Sequence, residues 1–228
     1  MGLFATLDQN LTIAGNLTYA DFIDMYEIDK LALRDDLIAP PDVTYRWYQH
    51  NALTHIAVRS GATGKIAGYI AILPVTDELF ERIKAGDFKD NDLSTENIRI
   101  YNSPGLYKLY ASCTCVHPDY RNTAAFSKLY TALLRMLYDL AAEKGIYISD
   151  IIAEASLRDG RKLCKILGFK KLSDTMLNTE LYVASLLPPT LRLNCSQGFK
   201  LIRLYQDKCT ELTMMTGRPA PMPAVANA

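Results

Sequence analysis

The sequence predicts a single α/β domain built on a mixed, strongly twisted sheet with helices on both faces. Two β-rich runs, 54–60 and 65–75, are joined by the glycine-containing turn 61–64, which favours an antiparallel hairpin. Strand, helix, strand and helix then alternate between residues 106 and 167, which is the pattern of a parallel crossover. At 228 residues the chain is long enough for one well-buried domain and short for two.

The composition is that of a globular protein and argues against several classes of partner. Hydrophobic residues make up 49% of the chain and charged residues 22%. Lys plus Arg and Asp plus Glu number 25 each, so there is no basic excess for nucleic acid. No apolar run reaches the roughly 20 residues needed to cross a bilayer, and the N-terminus is not signal-like. We therefore expect a cytoplasmic protein that binds neither nucleic acid nor membrane.

The first half of the chain predicts three helices around the hairpin. Thr18 is a capping residue for a helix over 18–34, and the Pro40-Pro41 pair separates it from a short helix over 43–50. Residues 77–86 have an acidic first turn and a terminal glycine, which are typical of a helix. The polar residues 87–104 then predict a loop.

The second half contains the longest predicted strand and the longest predicted helix. In strand 106–116, alternation places Cys113 and Cys115 on an apolar face. A helix starts at Ala125 and stops at Gly145, with apolar residues at helical spacing. The remaining predictions are strand 147–155, helix 158–167, strand 181–187 and helix 198–212.

These elements divide the chain into a main domain and a C-terminal extension. Residues 1–190 form the predicted domain, and 191–213 hold a C-terminal helix packed on it. Residues 214–228 are rich in Pro and Ala and offer no periodic apolar face, so they are predicted to be a disordered tail.

The junction between the long strand and the long helix is the segment with the clearest chemistry. It runs Val116-His117-Pro118-Asp119-Tyr120-Arg121 and continues through Asn122, Thr123, Ala124, Ala125 and Phe126. Unpaired N–H groups at a helix start, with the positive end of the helix dipole behind them, form a cradle for an anion. A phosphorylated cofactor is the predicted ligand.

This junction resembles the signature of the GNAT superfamily of acyltransferases. Val116, Pro118, Tyr120 and Arg121 match the entry of that signature, whereas its two glycine positions fall on Ala124 and Phe126. The resemblance implies a GNAT-type fold, with acetyl-CoA as acyl donor. It also implies that Cys115, Val116 and residues Arg121, Asn122, Thr123, Ala124, Ala125 and Phe126 bind this cofactor.

A second stretch, 160–169, resembles the helix that flanks the cofactor in the same family. Its Leu163, Gly168 and Phe169 match, and Cys164 stands where the family often has the tyrosine that protonates the departing thiolate. Cys164 is therefore a candidate acid. Alternatively, it is a small residue of the hydrophobic core. Glu154, near its strand end, is a candidate general base, and a solvated charge there is equally compatible with the sequence.

The resemblance implies N-acetyl transfer to a primary amine of a small molecule or peptide, by direct attack on the thioester. Two alternatives remain: a transferase whose donor is a longer acyl-CoA or an acyl carrier protein, and a catalytically silent domain that binds CoA or a protein. A homodimer is also compatible with the sequence. The five cysteines are odd in number and mostly lie in apolar segments, which indicates reduced core thiols. Cys113 and Cys115 lack a second close Cys or His pair, so no metal site is expected.

Overall fold

The computed structural model describes residues 10–88, 93–175 and 177–216. Within these ranges the helices are α1 (Tyr19–Lys30), α2 (Pro41–His50), α3 (Asp77–Lys84), α4 (Ala125–Lys144), α5 (Arg158–Ile166) and α6 (Ser196–Thr216). The strands are β1 (Leu11–Ile13), β2 (His55–Ser60), β3 (Ile66–Val75), β4 (Gly105–Val116), β5 (Ile146–Ala155), β6 (Lys170–Asp174) and β7 (Glu180–Ser185). None of the helices in the described part of the chain is long and apolar enough to cross a membrane.

The strands form one seven-stranded sheet in the order β1-β2-β3-β4-β5-β7-β6. The β2–β3 hairpin is antiparallel, as predicted, and its register pairs His55 with Ala71. β1 adds to β2 antiparallel, and β7 pairs antiparallel with both β5 and β6. The predicted α/β fold class is confirmed.

The chain separates into two compact units. Unit 1 takes the described residues of Met1–Ile100 together with Tyr110–Leu133, and unit 2 takes those of Tyr101–Leu109 and Leu134–Ala228. Strand β4 and helix α4 therefore contribute residues to both.

Unit 1 packs α1 and α2 over the β2–β3 hairpin. The backbone N–H and the hydroxyl of Thr18 both donate to the Asp21 carboxylate, at 2.8 and 3.0 Å, which secures the start of α1. Phe22, Met25 and Ile28 then lie on one buried face of α1 against β3, in the cluster that includes Tyr69. The apolar spacing read from the sequence therefore positions α1 on the sheet.

Unit 2 is built on β5, which α6 covers. Ile146, Ile148 and Ile152 of β5 are buried, and Tyr205 of α6 is fully buried beside them. The Tyr205 hydroxyl accepts a hydrogen bond from the Ile148 backbone N–H at 2.8 Å. This bond satisfies a backbone donor that would otherwise be buried without a partner.

Helix α1 is shorter than predicted, and α2 is longer. Helix α1 ends at Lys30, where Leu31 and Ala32 donate to the Ile28 and Asp29 carbonyls, at 3.2 and 2.9 Å, in tighter i→i−3 bonds. Helix α2 begins at Pro41, since proline tolerates the first helical position, where its missing N–H would have no partner.

Two strands were missed, and one helix was predicted too short. β6 (Lys170–Asp174) is exposed at every position, so it has no apolar alternation to detect, and β1 is only three residues long. Helix α6 extends through Met214 and Met215 to Thr216, so the predicted tail cannot begin at 214. The rest of that tail, 217–228, lies outside the described residues.

Candidate functional site

The start of α4 has backbone N–H groups available for a ligand. A single turn of 3₁₀ helix, Pro118–Tyr120, leads from β4 into the loop. In the loop, Thr123 N–H donates to the Tyr120 carbonyl at 3.1 Å, and Ala125 N–H donates to the Thr123 hydroxyl at 3.2 Å. The N–H groups of Asn122, Phe126 and Ser127 donate to no group in the described part of the chain.

These three unused donors lie at the positive end of a 20-residue helix. Asn122 and Ser127 are exposed, and Phe126 is half-buried. Arg121 is also exposed, and its Nε makes only a long 3.4 Å contact with the Val116 carbonyl, so its charge is available to an anion. The arrangement can bind a pyrophosphate through backbone donors and one cation.

The two positions that replace the family's glycines have different surroundings. Phe126 stacks on Tyr130 one helical turn later, with ring centroids 6.0 Å apart and planes 13° apart. Ala124 is half-buried and its carbonyl accepts from Lys128 N–H at 2.9 Å, which begins the helical hydrogen bonding.

Cys115 and Val116 lie at the end of β4, immediately before this loop. His117 N–H donates to the Ala67 carbonyl of β3 at 2.9 Å. Because successive N–H groups of a strand point to opposite edges, the Val116 N–H points away from β3. Cys115 is 6% exposed and belongs to the core of unit 1, so its side chain is not presented to solvent.

The two predicted catalytic residues belong to unit 2. Glu154 lies on β5 opposite Leu181 of β7, and the Thr179 hydroxyl donates to its Oε1. The Glu154 side chain is half-buried, and this hydrogen bond from Thr179 orients its carboxylate.

Cys164 lies on α5 and is 8% exposed. Burial raises the pKa of its thiol to about 11, so the thiol is protonated at neutral pH. Proton transfer from a thiol of this pKa to an ordinary thiolate, whose conjugate thiol has a pKa of about 8.5, has an unfavourable free energy. Burial therefore makes the Cys164 thiol a weaker acid than an ordinary cysteine thiol, which was the reference in the sequence analysis.

We expect Cys164→Ala to lower the kcat of acyl transfer by less than about tenfold, because a weak acid contributes little to the rate. CoA affinity is expected to stay unchanged, while the lost sulfur destabilises the fold by about 1 kcal/mol. Steady-state kinetics, calorimetric titration and thermal melting measure the three quantities. A fall in kcat well beyond tenfold, with CoA affinity intact, would assign Cys164 the acid role.

Sequence reasoning missed a buried polar cluster in unit 1. The Tyr69 hydroxyl donates to the Asp29 carboxylate, 2.7 Å from Oδ1 and 2.6 Å from Oδ2, and Cys113 Sγ lies 3.6 Å from Asp29 Oδ1. Asp29, Cys113 and Tyr69 line a cavity of about 30 Å³, together with Trp47 and His55. The only sequence signal was the spacing of Cys113 and Cys115, since Asp29 lies 84 residues before Cys113.

Comparison by sequence gives no relative, whereas comparison by structure does. No protein-family model matches the sequence, and no curated protein matches it. The loading GNATL domain of CurA from Lyngbya majuscula is similar in structure, with a TM-score of 0.52 at 12% identity, over 77% of this chain and 97% of that one. A chain of the NatC complex, solved with Gag peptide and CoA, has a TM-score of 0.50 at 10% identity, over 76% and 96%.

At these identities the similarity concerns the fold. It covers nearly the whole of both solved chains. The chain has the fold of the GNAT acetyltransferases.

Proposed function

We propose that this protein transfers an acetyl group from acetyl-CoA to a primary amine. The observation that carries the proposal concerns the N–H groups of Asn122, Phe126 and Ser127 at the start of α4, which donate to no group in the described ranges. Exposed Arg121 precedes them. Such donors suit the pyrophosphate of CoA. The NatC structure, which shares the fold, was solved with CoA, and this supports the choice of donor.

In the proposed reaction the neutral amine nitrogen attacks the thioester carbonyl carbon, and no covalent enzyme intermediate forms. The carbon–sulfur bond breaks, CoA leaves as a thiolate that takes up a proton, and the amine gives its proton to a base. The Val116 N–H, which points away from β3, is the proposed donor to the thioester oxygen. Glu154 is the proposed base, acting directly or through water.

The test is a donor screen on the purified full chain. Acetyl-CoA, a longer acyl-CoA and an acyl carrier protein are each supplied with a panel of small-molecule and peptide amines, and free thiol is measured. We expect thiol release with acetyl-CoA that depends on the amine. Release only with a longer acyl chain or a carrier protein would overturn the acetyl donor. CoA binding by calorimetry without turnover on any donor would indicate a silent binding domain.

We expect Glu154→Gln to lower kcat by about a hundredfold or more, because the amide cannot accept a proton from the amine. The amide oxygen still accepts from the Thr179 hydroxyl, so folding and CoA affinity should persist. Asp150→Asn is the matched control, since Asp150 lies four residues earlier on β5 and on the same face. Equal kcat in the parent and Glu154→Gln would remove Glu154 from the reaction.

A further inference from the structure

We propose that Asp29, Cys113 and Cys115 in unit 1 bind one zinc ion. The proposal does not rest on acyl transfer, because its ligands are side chains of α1 and β4. The proposed CoA donors are backbone N–H groups of residues 122–127 at the start of α4, here called the donor loop. The cluster could not be predicted from the sequence, because Asp29 comes from helix α1 whereas Cys113 and Cys115 lie on strand β4.

The geometry of the three side chains fits a tetrahedral ion. One ligand atom from each of Asp29, Cys113 and Cys115 lies within 4.8 Å of the other two. A zinc ion bonded at about 2.3 Å to sulfur and about 2.1 Å to oxygen places those two atoms about 3.6 Å apart. The observed distance from Cys113 Sγ to Asp29 Oδ1 is 3.6 Å.

Strand geometry favours a metal over a disulfide between the two cysteines. Cys113 and Cys115 are two positions apart on β4, so both side chains point to the same face. Their Cα and Cβ atoms are then each separated by about 6.6 Å, whereas a disulfide needs Cβ atoms about 4 Å apart. Two thiols on one face of a strand can instead converge on a shared ion.

The chemistry of the ligands selects a soft divalent cation. Two thiolates and one carboxylate suit zinc and offer too few oxygens for magnesium or calcium. Zinc binds cysteine as the thiolate, so zinc affinity at this site should rise with pH.

The cavity beside the cluster leaves room for a fourth ligand. Asp29 and Cys113 line it, and its volume of about 30 Å³ exceeds what one water molecule requires. A water molecule in this cavity would complete a tetrahedral shell with the three protein ligands.

The Tyr69 hydroxyl supports the carboxylate of the proposed site. It donates to both oxygens of Asp29 and so fixes the carboxylate against β3, which carries Tyr69. Carboxylates that bind metal ions are commonly oriented by such hydrogen bonds. Asp29 is 8% exposed, so a bound ion would be shielded from bulk solvent.

The first experiment titrates the chelator-treated full chain with cobalt(II), a spectroscopic probe of zinc sites, and then with zinc. We expect a thiolate-to-cobalt charge-transfer band in the near ultraviolet that saturates at one ion per chain and is lost on adding zinc. Magnesium should leave the band unchanged. Cys115→Ser and Asp29→Asn should each weaken binding by at least about a hundredfold, whereas Cys209→Ser, in unit 2, should bind as the parent does.

The second experiment needs only the parent protein, in case either variant fails to fold. Zinc should protect the half-buried Cys113 from alkylation in peptide mapping and leave Cys195 and Cys209, which are also half-buried, reactive. No charge-transfer band in the folded parent, or no protection of Cys113, would overturn the site. Retention of the band in folded Cys115→Ser and Asp29→Asn would overturn these residues as ligands.

Discussion

Ala124→Glu is expected to weaken CoA binding by about a hundredfold, because a carboxylate about 5 Å from a phosphate charge repels it by about 3 kcal/mol near a protein surface. The melting temperature is expected to stay the same, since a negative charge at the N-terminus of α4 interacts favourably with the helix dipole. Binding and stability should therefore separate. Calorimetric titration with CoA and thermal melting of each variant measure the two effects.

Two further substitutions at this position separate charge from size. Ala124→Gln has the shape of the glutamate variant without its charge, so we expect it to lose much less affinity. Ala124→Gly restores the residue that the GNAT signature has here and should bind CoA at least as well as the parent. If folded Ala124→Glu bound CoA as tightly as Ala124→Gln, the donor loop would not hold the pyrophosphate, and the proposed function would lose its main support.

Gly68→Ala is expected to destabilise the protein by about 2 kcal/mol, because β3 and β4 approach too closely there for a side chain. A Cβ at Gly68 would lie 2.9 Å from the Cys115 carbonyl oxygen and 3.2 Å from the Val116 Cα. The strand must shift to relieve these contacts. For a chain of this size the melting temperature should fall by about 6 °C, and CoA affinity should fall with it because β4 leads into the donor loop.

Gly15→Ala is the matched control for this substitution. A Cβ at Gly15 would meet no atom within 4 Å, and this residue is exposed. We expect its melting temperature to equal or slightly exceed that of the parent, since alanine restricts the unfolded chain more than glycine does. Equal melting temperatures for Gly68→Ala and Gly15→Ala would show that β3 and β4 can separate freely at Gly68.

The zinc titration and the CoA titration examine different residues of unit 1. The donor loop uses backbone groups of residues 122–127, whereas the metal cluster uses side chains of Asp29, Cys113 and Cys115. Either result can therefore fail while the other stands. Added zinc in the donor screen would then show whether an ion at the cluster changes turnover.

The sequence by itself determined the elements whose signals are local. The start of α4 depends on contiguous residues, because Thr123 and its neighbours provide their own hydrogen bonds, and the loop could be located without a structure. The β2–β3 hairpin and α4 were likewise predictable, since apolar periodicity and turn glycines act over a few residues. The exposed edge strand β6 has no such signal and was missed.

Only the tertiary structure decided which buried polar groups meet. Tyr69 lies 40 residues from Asp29, and Cys113 lies 84 residues from it, so no spacing in the sequence relates them. Their contact arises because the apolar face of α1 packs on β3 and carries Asp29 to Tyr69 and Cys113. In unit 2, burial raises the pKa of Cys164 to about 11, which is likewise a property of the packing. Desolvation depends on packing across the whole fold, and a residue's neighbours in sequence do not report it.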